Sequence, residues 1–292
     1  VGIKLKQKLI EYAVPLIIST IMIGLAAWLT LFLLYQQQVT VQLSHVPVRA
    51  ERGYKAKQLG TLDKGEHLQI LETKDNWYKV RREDESLGWV ARWLVERKEP
   101  LDKITPMSEM TIVVDAGHGG SDPGSSANDG SEEKKYTLET AKKIQKTLSD
   151  RGANVVMSRE GDSDVALKTI AELPRKNAAD FFVSIHFDAV KKNQARGFTT
   201  YYYHDDGSIQ FAKAINDEMD KRAPKNMINR GNDFGDYYVL RLNTVPAVLI
   251  EGGYIDSDKD FDNIKDAKYQ KNLAQSVMVG IDQFAKSKNV KS

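Results

Sequence analysis

Four polar residues stand at strand ends or at the start of a helix: His118 after "IVVDAG", Glu133 at the start of an amphipathic stretch, His186 closing "FFVSI" and Glu251 closing "PAVLI". A strand as apolar as "PAVLI" that carries a carboxylate at its tip delivers it where a sheet meets a cleft, and "FFVSI" delivers His186 in the same way. Taken singly, each reads as an ordinary turn or helix-end residue, and a Glu in a first helical turn suits the helix dipole anyway. The set of four is what points to chemistry. Two imidazoles and one carboxylate suit zinc, with the fourth position left for water. Glu133, fixed at a helix start that can point back toward the His118 loop, is the expected third ligand, and Glu251 is expected to stay off the metal. A water acidified by the ion to a pKa of about 7, beside a carboxylate that takes its proton, gives metal-assisted hydrolysis of an amide.

Other chemistries fit less well. "GGSDPGS" has a GxxxxG spacing but lacks the Lys-Ser/Thr that completes a phosphate-binding loop. There is no G-x-S-x-G elbow and no H-E-x-x-H helix, and nothing orders the serines, histidines and aspartates into a triad. The chain has no cysteine, which excludes disulfides, thiolate ligands and cysteine nucleophiles. With 42 basic and 40 acidic residues the net charge is +2, so no nucleic-acid partner is expected.

The elements that must position these residues follow from the pattern. From Ala13 to Tyr35 no charge occurs, and as a helix this stretch covers roughly 35 Å, enough to span a bilayer. Lys4, Lys6 and Lys8 precede it, and no Lys or Arg follows before Arg49, which places residues 1–12 in the cytoplasm and the rest outside. A single-pass protein of the cell membrane with an extracellular catalytic domain is therefore expected. Thr20 and Gly24 make a small-xxx-small pair on the span. Residues 40–97 carry short runs, "VPVRA", "HLQILE", "WYKVR" and "GWVARWLV", parted by turn-like "DKG", "KDN" and "DES", which describes a small all-β module. Residues 98–109, charged and Pro-containing, read as a linker. Thereafter strand-like and helix-like segments alternate through residues 110–287, with "YTLETAKKIQKTLSDRG" placing Leu138, Ala141, Ile144 and Leu148 on one helical face and Gly152 as a stop. Further helices are expected near 208–222 and 266–286. This is an α/β domain with a mainly parallel, twisted sheet flanked by helices, whose chemistry gathers at the carboxyl ends of the strands.

The segment "KQLGTLDKGEHLQILETKDNWYKVRREDESLGWVARWLV" resembles bacterial SH3-like domains through Gly65, Trp77, Tyr78, Gly88, Trp89 and Val90, although the usual opening is reduced to "VPVRAERG". Trp77 and Trp89 are candidates for a ligand groove or for the module's core. In order and spacing, "VVDAGHGGSDPGS", "EKKYTL", "SIHFDA", "YYVLR" and "VPAVLIEGGYIDS" resemble the zinc-dependent N-acetylmuramoyl-L-alanine amidases of the amidase-3 group, from Met110 to Lys286. The layout of one anchor and one SH3-like module before the amidase resembles that of LytH-type cell-wall amidases.

The resemblance implies that His118, Glu133 and His186 bind Zn2+ and that Glu251 is the catalytic carboxylate. It also implies that the bond cut joins N-acetylmuramic acid to L-alanine in peptidoglycan. Glu133 is preferred to Glu132 because the family's Glu-Lys is followed four residues later by Leu, here Leu138. Two departures stand out: the family's Arg falls at Ile170, leaving either Arg175 as its replacement or a remodelled edge of the fold, and its Thr-Arg is Ser158-Arg159. Only 64 residues separate His186 from Glu251, which leaves no room for the inserted inhibitory helix of some relatives. Asp188, His204 and Arg241 are candidate substrate contacts, Asp188 alternatively as an acceptor that holds a ligand histidine and Arg241 for the peptide's carboxylates, and Asp115 is a candidate for orienting the glycine loop or His118. Some members are switched on by partners, and a membrane protein meeting residues 13–35 or the SH3-like module would fill that role. The alternatives are a scaffold that binds without cutting and a zinc peptidase acting within the stem peptide.

Overall fold

The computed structural model describes residues 2–289. A long helix, α1 (Gly2–Gln36), leads the chain. Its stretch Glu11–Leu29 is long and apolar enough to cross a membrane, and none of it is buried against the rest of the protein. Leu16, Ile17, Ile21, Ile23 and Trp28 are all exposed along it. The expectations for Lys4, Lys6 and Lys8 and for side chains at 30–35 lie outside the described residues.

One residue after α1 the all-β module begins. Its strands are β1 (Gln38–Thr40), β2 (Val46–Arg49), β3 (Gln58–Leu62), β4 (His67–Lys74), β5 (Trp77–Arg81) and β6 (Leu87–Ala91), followed by one turn of helix, α2 (Arg92–Val95). They pair antiparallel in the order β1-β4-β5-β6-β2-β3. Asp75 and Asn76 join β4 to β5 with φ of 50° and 62°, the left-handed values that a two-residue hairpin turn needs. Alternation on these strands turns Val46, Val48, Leu62, Leu68, Val80 and Val90 into a shared core. Trp77 belongs to that core, edge-on to Trp93 at 5.9 Å. Trp89 is half-buried beneath the Arg52 guanidinium.

Residues 98–109 are not a slack linker. Their apolar side chains recur every third residue: Leu101 and Ile104 pack on the all-β core, and Met107 is buried in the catalytic core. Thr105 and Ser108 cap the short 3-10 turn Pro106–Glu109 reciprocally. Across the junction, Trp93 Nε1 donates to the carbonyls of Ser108 and Gly152, Arg49 pairs with Glu109, and Tyr54 enters the catalytic core cluster.

The catalytic domain runs β7 (Thr111–Ala116), α3 (Glu133–Ser149), β8 (Asn154–Met157), α4 (Leu167–Lys176), β9 (Phe181–Asp188), β10 (Phe198–Tyr202), α5 (Ser208–Arg222), β11 (Asn229–Phe234), α6 (Tyr238–Arg241), β12 (Ala247–Tyr254), α7 (Asp258–Ile264) and α8 (Ala267–Asn289). Strand order is β11-β10-β12-β9-β7-β8. The four strands β8, β7, β9 and β12 are parallel, β10 runs antiparallel to β12, and β11 runs parallel to β10. The central strands are apolar on both faces because both are covered. Ile112, Val114, Val183, Ile185, Val248 and Ile250 pack with side chains of α3, α5 and α8, while Val113, Phe182, Ala247 and Leu249 pack with Ile170 of α4 and Val239 and Leu240 of α6. Ile170, standing where an Arg was expected, is thus a buried core residue, and Arg175 is exposed on the last turn of α4. Of the two helices between His186 and Glu251, the long one, α5, packs with α8, and the single-turn α6 packs with α4. The strand β11 carried no signal in the sequence: "NRGNDF" has no apolar alternation because it lies exposed at the sheet edge.

Candidate metal centre and active site

The parallel strands β7, β9 and β12 end at one rim, and the register there aligns Ala116 with Ile185 and His186 with Glu251. Just beyond β7 the chain turns sharply, and His118 itself takes φ of 62°, a strained value for a residue with a side chain. Its neighbours must be glycine for lack of space. A Cβ on Gly117 would come within 2.3 Å of the His186 ring, and one on Gly124 within 2.6 Å of both Glu133 Oε2 and the His118 ring.

Glu133 is the first residue of α3 and is 2% exposed, whereas Glu132 points outward to Lys134. Two backbone N–H groups hold its carboxylate, Phe187 on Oε1 at 2.9 Å and Ser125 on Oε2 at 2.8 Å. His118 Nε2 lies 3.1 Å from Glu133 Oε2, His186 Nδ1 lies 3.2 Å from Glu133 Oε1, and the two imidazole nitrogens are 3.1 Å apart. Three donors bound tetrahedrally at a zinc-like distance of about 2.0 Å sit about 3.3 Å from one another, so the arrangement fits a small metal ion. Charge fits too. Burial opposes ionisation of Glu133, yet hydrogen bonds from His118 and His186 hold its carboxyl well below the usual range. For His118, burial works against the cation, but Glu133 and then Asp122 outweigh it and raise the imidazole to about 9. Protein groups thus concentrate negative charge where a cation would sit.

The outward nitrogen of His118, Nδ1, faces Asp122 Oδ2 at 2.8 Å, and Asp122 Oδ1 accepts from Gly124 N. Asp122 therefore turns Nε2 toward the cluster, the role expected of Asp115. Asp115 is instead buried and accepts from Ser184 Oγ at 2.7 Å. Arg159 was seen in the sequence only as half of an altered Thr-Arg pair. Its buried guanidinium donates to the carbonyls of Ala116, Gly117 and Lys134, binding the His118 loop to the first turn of α3.

Glu251 stands beside His186 on the neighbouring strand and is almost wholly buried. Burial first, then the charges of Glu133 and Asp188, raise its carboxyl well above the ordinary range. Its Oε2 has no hydrogen-bond partner within the protein. Tyr201 and Tyr237, packed edge-to-face at 5.2 Å, form its wall on the α6 side, and burial followed by the Glu251 charge keeps the Tyr237 hydroxyl protonated. Asp188 lies at the end of β9 opposite Tyr254. Burial, the Asp188 charge and a hydrogen bond to it push the Tyr254 hydroxyl up to about 12, against the opposing effect of Arg230.

His204 and Arg241 do not join this site. Because β10 is antiparallel to β12, with Thr199 opposite Glu251 and Tyr201 opposite Leu249, its carboxyl end points to the far edge of the sheet. His204 lies beyond that end with Nε2 on the Arg241 carbonyl at 2.9 Å, and the Arg241 side chain pairs with Asp236. Reading every strand tip as equivalent missed this reversal.

Residues 112–283 match the N-acetylmuramoyl-L-alanine amidase family, and residues 44–96 match the bacterial SH3 domain. The chain belongs to the N-acetylmuramoyl-L-alanine amidase family. This amidase is 36% identical over 232 residues to the probable cell wall amidase LytH of Staphylococcus epidermidis, covering 77% of each chain. It is 38% identical over 230 residues to the corresponding Staphylococcus aureus protein, covering 75% of each. Among solved structures, the amidase of Clostridium difficile 630 shares 33% identity at a TM-score of 0.58, covering 61% of this chain and 98% of that one. The CwlD amidase of Clostridioides difficile, solved with the GerS lipoprotein, shares 30% identity at a TM-score of 0.58, covering 61% and 99%. The amidase is thus a cell-wall enzyme, with a His-Glu-His cluster able to hold a metal at the carboxyl rim of its sheet.

Proposed function

We propose that the protein is a membrane-anchored zinc amidase that hydrolyses the amide between N-acetylmuramic acid and L-alanine in peptidoglycan at the outer face of the cell membrane. The observation that supports it most is the convergence of His118, Glu133 and His186 within 4.8 Å, with Glu251 on the adjoining strand. When bound, the ion makes water acidic and polarises the amide carbonyl. His118 would hold it through Nε2, His186 through Nδ1, and Glu133 through its carboxylate. Glu251, whose carboxyl burial and the neighbouring charges of Glu133 and Asp188 raise above the ordinary glutamate range, takes the proton from water at Oε2 and hands it to the leaving nitrogen. The assigned regions are a cytoplasmic tail at 1–12, a transmembrane helix at 13–35, the SH3-like domain at 40–97, the connecting segment at 98–109 and the amidase at 110–287. The exposed apolar length of α1 supports the anchor, and a membrane-protein activator would meet either α1 or the SH3-like domain.

Glu251→Gln should keep its metal, measured by elemental analysis, and lose roughly 100-fold or more in activity, whereas His118→Ala should lose the metal. A metal-replete, fully active Glu251→Gln protein would refute the assignment. Mass spectrometry of the muropeptide products separates the readings of the reaction. Free stem peptides beginning with L-alanine support the amidase, muramoyl-L-alanine remnants would indicate a peptidase, and intact substrate a scaffold.

A further inference from the structure

The role that Arg241 does not fill falls to another cation. Strand β11 enters the sheet parallel to β10, so its amino end, not its carboxyl end, lies at the catalytic rim. Asn229 is level with Phe198 and Thr199 is level with Glu251, which puts Arg230 at the height of Glu251 and two strands away, roughly 10 Å across the sheet. Arg230 is exposed, and its guanidinium lies 5.6 Å from the centre of the buried Tyr254 ring. Among the described residues no carboxylate pairs with it. It is therefore an available cation steered by an aromatic ring, on a rigid strand, facing the same rim as the cluster.

The distance matches a feature of the substrate. With the scissile amide at the cluster, the peptide leads away from it at no more than about 3.6 Å per residue, so the residue after L-alanine and an arginine side chain together cover that gap. That residue is a glutamate whose second carboxyl group is free or amidated. A guanidinium on an otherwise unpaired strand end distinguishes the two, because only the carboxylate completes a charge-assisted, two-pronged hydrogen bond. We infer that Arg230 reads the carboxylate of the second stem-peptide residue and makes the enzyme prefer the free acid over the amide. This rests on the amidase reading for the identity of the substrate.

The test uses full-length protein in detergent with two muramoyl peptides that differ only in carboxylate or carboxamide at the second residue. Binding is measured calorimetrically in the Glu251→Gln background, so that it does not depend on turnover. With Arg230 present the carboxylate peptide should bind roughly 10-fold more tightly, and this advantage should shrink as salt rises. Adding Arg230→Gln should bring the two affinities together, and Arg230→Lys should restore part of the difference. In the active enzyme the same substitution should raise KM for the carboxylate peptide with little change in kcat. An unchanged preference after Arg230→Gln, or equal weakening toward both peptides, would overturn the inference. Failure of the active enzyme to release L-alanine peptides from either substrate would count against the amidase reading, with the binding comparison still deciding the role of Arg230.

Discussion

His118, His186 and Glu251 were legible in the sequence because each is a chemically capable residue following an apolar run, and Glu133 because it is a carboxylate opening an amphipathic helix. Asp122 was not, although it lies in the same quoted motif. Its role depends on a left-handed turn at His118 that brings a side chain four residues on against Nδ1. Removing that acceptor leaves His118 free to rotate. Asp122→Ala should therefore weaken metal affinity by about 10- to 100-fold with little loss of folding, as read by chelator competition and circular dichroism. Unaltered affinity would show that the loop alone fixes the ring. The acid limb of the pH profile follows from Glu251: a general base must be ionised, and its carboxyl is raised, so kcat/KM should fall on acidification at a pH above the ordinary glutamate range. An acid limb below that range would assign the step to another group.

At the scale of elements, the apolar strands β7, β9 and β12 could be read directly, as could α3 and its buried face, because covering both faces of a sheet leaves an unmistakable composition. Polar β11 left no such trace, and strand direction left none either: β10 is antiparallel to β12, which puts the end of β10 that leads toward His204 away from the cluster. The junction between β7 and α3 also had no sequence signature beyond one arginine. Arg159 spans it with five donors, and a shorter, single-headed cation cannot reach the same set of carbonyls. Arg159→Lys should lower thermal stability by about 2 to 4 kcal/mol and impair metal retention together, since buried carbonyls of the ligand loop lose their partners. Loss of stability with full metal retention at low temperature would show that the loop holds its shape without the clamp.

The whole molecule differs from the sequence reading most at the junction of its two modules. A charged stretch with two prolines suggests slack, yet Leu101, Ile104 and Met107 stitch it down, and Tyr54 and Trp93 carry the SH3-like domain onto the amino ends of the catalytic strands. Asp180 sits at this junction, accepting from Thr111 N; burial first, with a contribution from Glu109, pushes it up to about 7. Because the folded carboxyl binds its proton more tightly than an unfolded one, it favours folding least once pH exceeds both values. Stability should therefore fall as pH rises from about 4 to 7, by at most roughly 4 kcal/mol. Asp180→Asn removes this dependence, so its Tm advantage over the parent should grow between pH 5 and pH 8. A difference independent of pH would mean that Asp180 is not titrating in the fold.

The same docking has a mechanical outcome. The SH3-like domain starts one residue after α1 and grips the amino ends of the strands, while the cluster lies at their carboxyl ends, about 20 Å further on by the length of β7. A catalytic domain on a string would graze the wall anywhere within its radius. With α1 anchored as proposed, this bracing would hold the cluster at a set height above the lipid, so that adding residues between Gln36 and Gln38 should change the depth of wall within reach.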